Sequence, residues 1–130
     1  MQIKTNKTAG FTLVEIMIVV AIIELLAAIA IPNFVRARTT AQANACINNL
    51  RQIDSAKQQW ALETRQATNA TPVVSDIAPY LGWSGAVTVI TTTLVCPAGG
   101  TTANFGSSYT INSVSEAPTC QILTTTHLLQ

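Results

Sequence analysis

Gly10-Phe11-Thr12-Leu13-Val14-Glu15 opens an apolar stretch that runs on to Ile31, and how it is read decides the fold. Ahead of it lies a short hydrophilic leader ending in Lys7-Thr8-Ala9-Gly10. At about 1.5 Å per residue, a helix from Phe11 to Ile31 reaches roughly 31 Å. A bilayer's hydrocarbon core is about 30 Å thick, so the stretch is long enough to span it. In an ordinary secretory signal a shorter apolar run is followed by small residues at the cut. Here the small residue, Gly10, comes first, and a cut there leaves the apolar helix on the mature chain.

Two carboxylates interrupt that helix. At mid-membrane each costs about 2.5–3.5 kcal/mol on insertion scales, so such groups are rare and usually functional. Glu15 stands close to the start, near the membrane interface, where the cost is lower. Taken alone it reads equally well as a carboxylate snorkelling or protonated at the surface, or as a charge awaiting a partner. Glu24 lies about 900° further round the helix, on the opposite side, so the two acids cannot form one site on one helix. Pro32 removes a backbone donor and clashes with the carbonyl of Ala28, which predicts a kink in a continuing helix.

The residues Gly10-Phe11-Thr12-Leu13-Val14-Glu15, then Ile18-Val19-Val20-Ala21-Ile22-Ile23, then Leu25-Leu26-Ala27-Ala28-Ile29-Ala30-Ile31-Pro32, resemble the prepilin-type N-terminal signal of type IV pilins and type II secretion pseudopilins. The resemblance implies cleavage between Gly10 and Phe11 by a membrane prepilin peptidase and N-methylation of Phe11. It also implies a role for Glu15 in filament assembly, paired with the N-terminal amine of a neighbouring subunit's Phe11. The sequence departs from the pattern at Glu24, where these proteins usually carry glycine. Glycine would loosen the helix by about 1 kcal/mol relative to alanine, whereas glutamate is a good helix former. A subunit contact and a neutral, protonated acid are both open for Glu24.

Beyond Pro32, Ala43, Cys46, Ile47, Leu50, Ile53, Trp60 and Ala61 recur at three- and four-residue spacing, the pattern of an amphipathic helix with one face on a small domain. A helix is expected from about Thr12 to Arg65. The segments Asn44 to Asp54 and Lys57 to Ala61 also resemble a recurring type of secretion pseudopilin. Ser75 and Asp76 read as the N-cap of a short helix through Leu81. Ala86 to Val95 is rich in β-branched residues and reads as one or two strands, with two more at Ser108–Asn112 and Cys120–Thr125. Gly82 and Gly85 bracket one turn, and Pro97, Gly99, Gly100, Gly106 and Pro118 mark the others.

The expected architecture is α+β and pilin-like. A long N-terminal helix, kinked near Pro32, packs its amphipathic second half on a small antiparallel sheet. Residues 1–10 are the cleaved leader and 11–34 the transmembrane or filament-core helix. Residues 35–66 form the amphipathic half, and 67–130 a small β-rich region completing one globular domain with it.

The 130 residues give room for one domain, and 48% of them are hydrophobic, many in the N-terminal helix. The remainder is rich in Thr, Ser, Ala and Asn. From residue 35 onward, Arg36, Arg38, Arg51, Lys57 and Arg65 face Asp54, Glu63, Asp76 and Glu116, a net charge of +1. No basic patch able to neutralise several phosphates is visible, so nucleic acid is not an expected partner. Lys4, Lys7 and the initiator amine precede the apolar stretch and Arg36 and Arg38 follow it, leaning narrowly toward a cytoplasmic leader. The resemblance implies the same orientation: a single pass through the inner membrane, with the C-terminal domain periplasmic or extracellular.

Three cysteines allow three single pairings. Cys96 with Cys120 is the favoured pair, since a disulfide there closes a loop worth about 3 kcal/mol in the chain-entropy picture. Cys46 shares the helical stripe of Leu50 and Ile53 and reads as a buried free thiol. His127, the only histidine, reads as a surface or sheet-edge residue. No acid, histidine and cysteine cluster has metal-ligand spacing, and Asp76 and Glu116 are too few for calcium, so no metal or cofactor is expected. No phosphate loop, nucleophile elbow or catalytic carboxylate pair is present, and an enzyme is not expected.

The resemblance implies a structural subunit of a pilus-like filament, preferably a type II secretion pseudopilin that drives secretion by assembly. A type IV pilin for adhesion or twitching, a DNA-uptake pseudopilin, and a signal-anchored protein that never polymerises are the alternatives. The implied partners are identical or homologous subunits, the prepilin peptidase, an assembly ATPase with its inner-membrane platform, and membrane lipid.

Overall fold

The computed structural model describes residues 10–82 and 87–129. The leader up to Ala9 and the turn residues Gly85 and Ala86 lie outside them. The chain divides into two compact units, one reaching Ala37 and one from Arg38 to Gln130.

One helix, α1 (Leu13–Thr64), supplies nearly all of the first unit's structure and enters the second. From Phe11 to Val35 every residue is exposed except the half-buried Ala27. Successive residues such as Ile16, Met17, Ile18 and Val19 are all apolar and all exposed, so no face of this segment is polar. A helix apolar all round belongs in a non-aqueous setting, and α1 is long and apolar enough to cross a membrane. Pro32 lies inside α1 with helix on both sides of it.

The far end of α1 is closed by its backbone. Arg65 takes a left-handed conformation (φ +53°), and the Gln66 N–H donates to the Ala61 carbonyl at 3.0 Å. That six-to-one bond with a left-handed residue is a Schellman stop, built here on arginine rather than glycine.

In the second unit α1 presents Cys46, Leu50, Ile53, Ala56, Lys57 and Ala61 as its buried stripe, close to the periodicity of the sequence. α2 (Val74–Ile77) runs directly into a 3₁₀ turn, Ala78–Leu81, so a short helical segment does reach Leu81. Its cap differs from expectation. Asp76 reaches back to accept from the Val73 N–H at 3.0 Å, which makes Val73 the N-cap and leaves Ser75 without that role. Pro79 is tolerated because it sits in the first turn, where its missing N–H has no carbonyl to meet.

The largest correction concerns Ala86 to Val95. The described part is a helix, α3 (Val87–Thr93), not a strand. Ile90 and Leu94, four apart, are both buried, and the Leu94 N–H donates to the Ile90 carbonyl at 3.0 Å. The threonines accept helical geometry by bonding backward: Thr91 Oγ1 and Thr92 Oγ1 each donate to the Thr88 carbonyl at 3.0 Å. Core contact at helical spacing overrides the β preference of the branched side chains.

α4 (Phe105–Ser108) opens with a reciprocal cap. The Asn104 side chain accepts from the Ser107 N–H at 2.9 Å, and the Ser107 hydroxyl accepts from the Asn104 N–H at 3.0 Å. The sheet is smaller than expected. Among the described residues it consists of β1 (Tyr109–Thr110) antiparallel to β2 (Thr119–Cys120), with Tyr109 opposite Cys120. The α+β class holds, with far less strand than the sequence suggests.

Polar side chains on α1 pin the segment after β1. Lys57 is fully buried; its ammonium donates to the Ile111 carbonyl at 3.4 Å and to the Glu116 carbonyl, and pairs with Asp54 at 3.3 Å. Gln58 donates to the Val114 carbonyl at 2.9 Å. Backbone donors of Val114 and Ser115 reach the carbonyls of Ala70 and Thr68, each at 2.9 Å. This hydrogen-bonded padding does the work that longer strands would have done.

Candidate functional site

Two groups of residues carry chemistry, one in each unit. At the start of α1, Thr12 and Glu15 form a capping box. The Thr12 N–H and hydroxyl donate to Glu15 Oε2 at 2.8 and 2.6 Å, and the Glu15 N–H donates to Thr12 Oγ1 at 3.3 Å. Two of the helix's orphan donors are thereby satisfied, and the carboxylate is held among donors at the helix N-terminus rather than bare. Thr12 escaped the sequence reading, although the spacing Thr-x-x-Glu ahead of an apolar run signals this box. Phe11 is 86% exposed, Gly10 and Glu24 are exposed as well, and Glu24 lies well along α1 from the box. A β-carbon built at Gly10 would meet nothing within 4 Å, so the fold itself does not require glycine there.

In the second unit Cys46, Cys96, Cys120 and His127 converge in the core. Their sulfur atoms and one imidazole nitrogen all lie within 4.8 Å of one another, and all four residues are buried. His127 Nδ1 is 3.5 Å from Cys96 Sγ and 3.7 Å from Cys120 Sγ. One expectation is corrected here. His127 is only 2% exposed, not a surface residue. Cys46, Cys96 and Cys120 are all buried and stand as separate thiols around the imidazole.

Each member comes from a different element. Cys46 is on α1, Cys96 ends the segment after α3, Cys120 closes β2, and His127 follows a turn in which its N–H donates to the Leu123 carbonyl at 3.2 Å. Burial pushes the Cys46 and Cys96 thiols up, opposed at Cys46 by the Tyr109 hydroxyl and at Cys96 by the Ala98 backbone N–H. Burial likewise raises Tyr109, whose hydroxyl accepts from Asn49 Nδ2 at 2.9 Å. The sequence concealed this cluster because its four members are spread over more than half the chain. The traces it left were the Cys96-Pro97-Ala98-Gly99-Gly100 turn and a lone histidine shortly after Cys120.

A long helix, apolar in its first half, followed by a small two-stranded antiparallel sheet is consistent with a pilin-like α+β fold. Over 57 residues the chain is 44% identical to the type IV major pilin protein PilA of Myxococcus xanthus, covering 44% of this chain and 26% of that one. Over 95 residues it is 34% identical to a type IV major fimbrial protein FimA of Dichelobacter nodosus, covering 73% and 51% respectively. A fimbrial protein of Pseudomonas aeruginosa is 41% identical over 64 residues, 48% of this chain and 42% of that one. These relatives support the type IV pilin family for this chain, which spans from a quarter to about half of their length. No family model and no solved structure matches it.

Proposed function

We propose that this chain is a structural subunit of a pilus-like filament, built by packing the apolar part of α1 against the same segment of neighbouring copies. The observation that carries this is the segment from Phe11 to Val35, whose apolar side chains are exposed all round and headed by a Thr12–Glu15 box. A single subunit would keep that surface in lipid as a membrane anchor, and a filament would bury it against its own kind. Gly10 is consistent with a prepilin peptidase cutting before Phe11, since glycine there answers no packing need of the fold. The new amine at Phe11 is then the partner for a neighbour's Glu15. Pro32, lacking an N–H, is where the shaft would bend.

In the cell the leader would face the cytoplasm and the second unit the periplasm or exterior, with an assembly ATPase and membrane platform supplying the work. The relatives' names favour a type IV pilus. The likeness of the Asn44–Asp54 stretch to secretion pseudopilins favours a type II secretion pseudopilus. Deletion separates the two: loss of surface pili and twitching marks the first, and retained secretion substrates in the periplasm mark the second.

Glu15→Ala tests the assembly role. It should leave cleavage before Phe11 intact by mass spectrometry of the cell-associated chain and eliminate sheared filaments. Normal filaments from that variant, or a mature chain starting elsewhere than Phe11, would refute the proposal.

A further inference from the structure

We infer that Cys46, Cys96, Cys120 and His127 bind one structural zinc ion at the centre of the second unit, through three thiolates and His127 Nδ1. Zinc takes sulfur at about 2.3 Å and imidazole nitrogen at about 2.0–2.1 Å, so a tetrahedral site sets S···N near 3.6 Å and S···S near 3.8 Å. The observed Sγ···Nδ1 separations of 3.5 and 3.7 Å meet the first requirement. All four ligand atoms lie within 4.8 Å of one another, about an ångström beyond the widest tetrahedral spacing at most. Four protein ligands close the coordination shell, which marks a structural rather than a catalytic ion. Three soft sulfurs and one imidazole select zinc over the hard cations magnesium and calcium.

The surroundings fit the same ion. The turn after Cys96 is closed by the Gly99 N–H, which donates to the Cys96 carbonyl at 2.9 Å. Both glycines in that turn are needed. A β-carbon at Gly99 would sit 2.8 Å from the Ala103 β-carbon, and Gly100 has φ +73°. On the other side the Tyr109 hydroxyl accepts from Asn49 Nδ2 at 2.9 Å, and Tyr109 shares the buried core with Cys46, Cys96 and Cys120. Three thiolates around Zn²⁺ leave one excess negative charge in that site.

The ion would also have a mechanical purpose. Its ligands come from four separate segments of a unit whose sheet is two residues deep, so one ion would tie α1 to everything that follows. The inference is independent of the filament proposal, since it concerns only the second unit.

The test uses the full chain, purified in detergent with a histidine-free tag and without chelator. Metal analysis should return close to one zinc per chain. Cys46→Ser, Cys120→Ser and His127→Gln should each lose most of it, and His127→Cys, which supplies a fourth thiolate, should retain it. Should the losing variants fail to accumulate, cobalt exchange into the unaltered chain decides. Tetrahedral cobalt with thiolate ligands gives intense visible d–d bands and near-ultraviolet sulfur-to-cobalt charge transfer. Zinc at mock-preparation levels, an octahedral cobalt spectrum, or non-reducing peptide mapping that finds any two of the three cysteines bridged would each overturn the assignment.

Discussion

The two units solve opposite problems. The first, up to Ala37, exposes nearly every apolar side chain described in it and carries the Thr12–Glu15 box at the head of α1. The second, from Arg38 onward, buries Leu50, Ile53, Ile77, Ile90, Leu94 and Phe105 in one core and braces it with bonds from Lys57, Gln58 and Asn49. On the filament proposal, a segment destined for lipid or a polymer stays uncommitted, whereas the second unit fixes its own shape. The same helix serves both ends because only its side chains change character near Arg36 and Arg38.

The sharpest way to break this contrast is a matched pair of truncations. Ile53→Ala removes a fully buried side chain and should cost the second unit about 2–5 kcal/mol. At about 4–8 °C per kcal/mol for a unit of this size, the tryptophan-fluorescence melt of the full chain in detergent would move visibly. Ile22→Ala, at a position 53% exposed, should leave that melt in place. Equal shifts for the two would mean the units do not differ as described.

Comparable in size is Lys57→Ala, which strands the carbonyls of Ile111 and Glu116 in the interior. Unsatisfied buried groups cost about 1–3 kcal/mol each, so for two carbonyls urea unfolding should show a loss of about 2–6 kcal/mol. Lys57→Met keeps the aliphatic stem and should recover only the packing part of it.

The smallest effects sharpen the comparison, because both units use the same device at a helix start. Asn104→Ala removes the reciprocal cap of α4 and should lower the midpoint by about 1 kcal/mol equivalent. Thr12→Ala removes the matching cap of α1 and should leave the second unit's unfolding unchanged. Its effect should appear in filament yield instead.

Much of this was legible in the sequence. The long apolar first half of α1, the end of α1 within a residue, and the Cys46–Leu50–Ile53 stripe all follow from periodicity and length. What escaped notice depends on contacts between distant segments. Val87–Thr93 carries strand-forming residues, yet Ile90 and Leu94 reach the core only at helical spacing, and hydroxyl back-bonds make that geometry acceptable. His127 looked terminal and solvent-bound because nothing in its neighbours points inward. Only the turn through Leu123 carries it beneath Cys96 and Cys120. Lys57 entered the sequence reading only as one of five cations, and the carbonyls that bury it lie more than fifty residues away. After β1, side chains from α1 satisfy backbone that a wider sheet would have paired: Lys57 meets the Ile111 and Glu116 carbonyls and Gln58 the Val114 carbonyl.

The Thr12–Glu15 box has a consequence for how such a fibre comes apart. A carboxylate already engaged by two donors of its own chain has little to gain when a neighbour's amine arrives; one set of contacts is traded for another. On the filament proposal, each newcomer is therefore held by the modest margin between the two, and withdrawing it returns the acid to a resting place rather than to bare lipid. Subunits recovered at the membrane would be ready for another round.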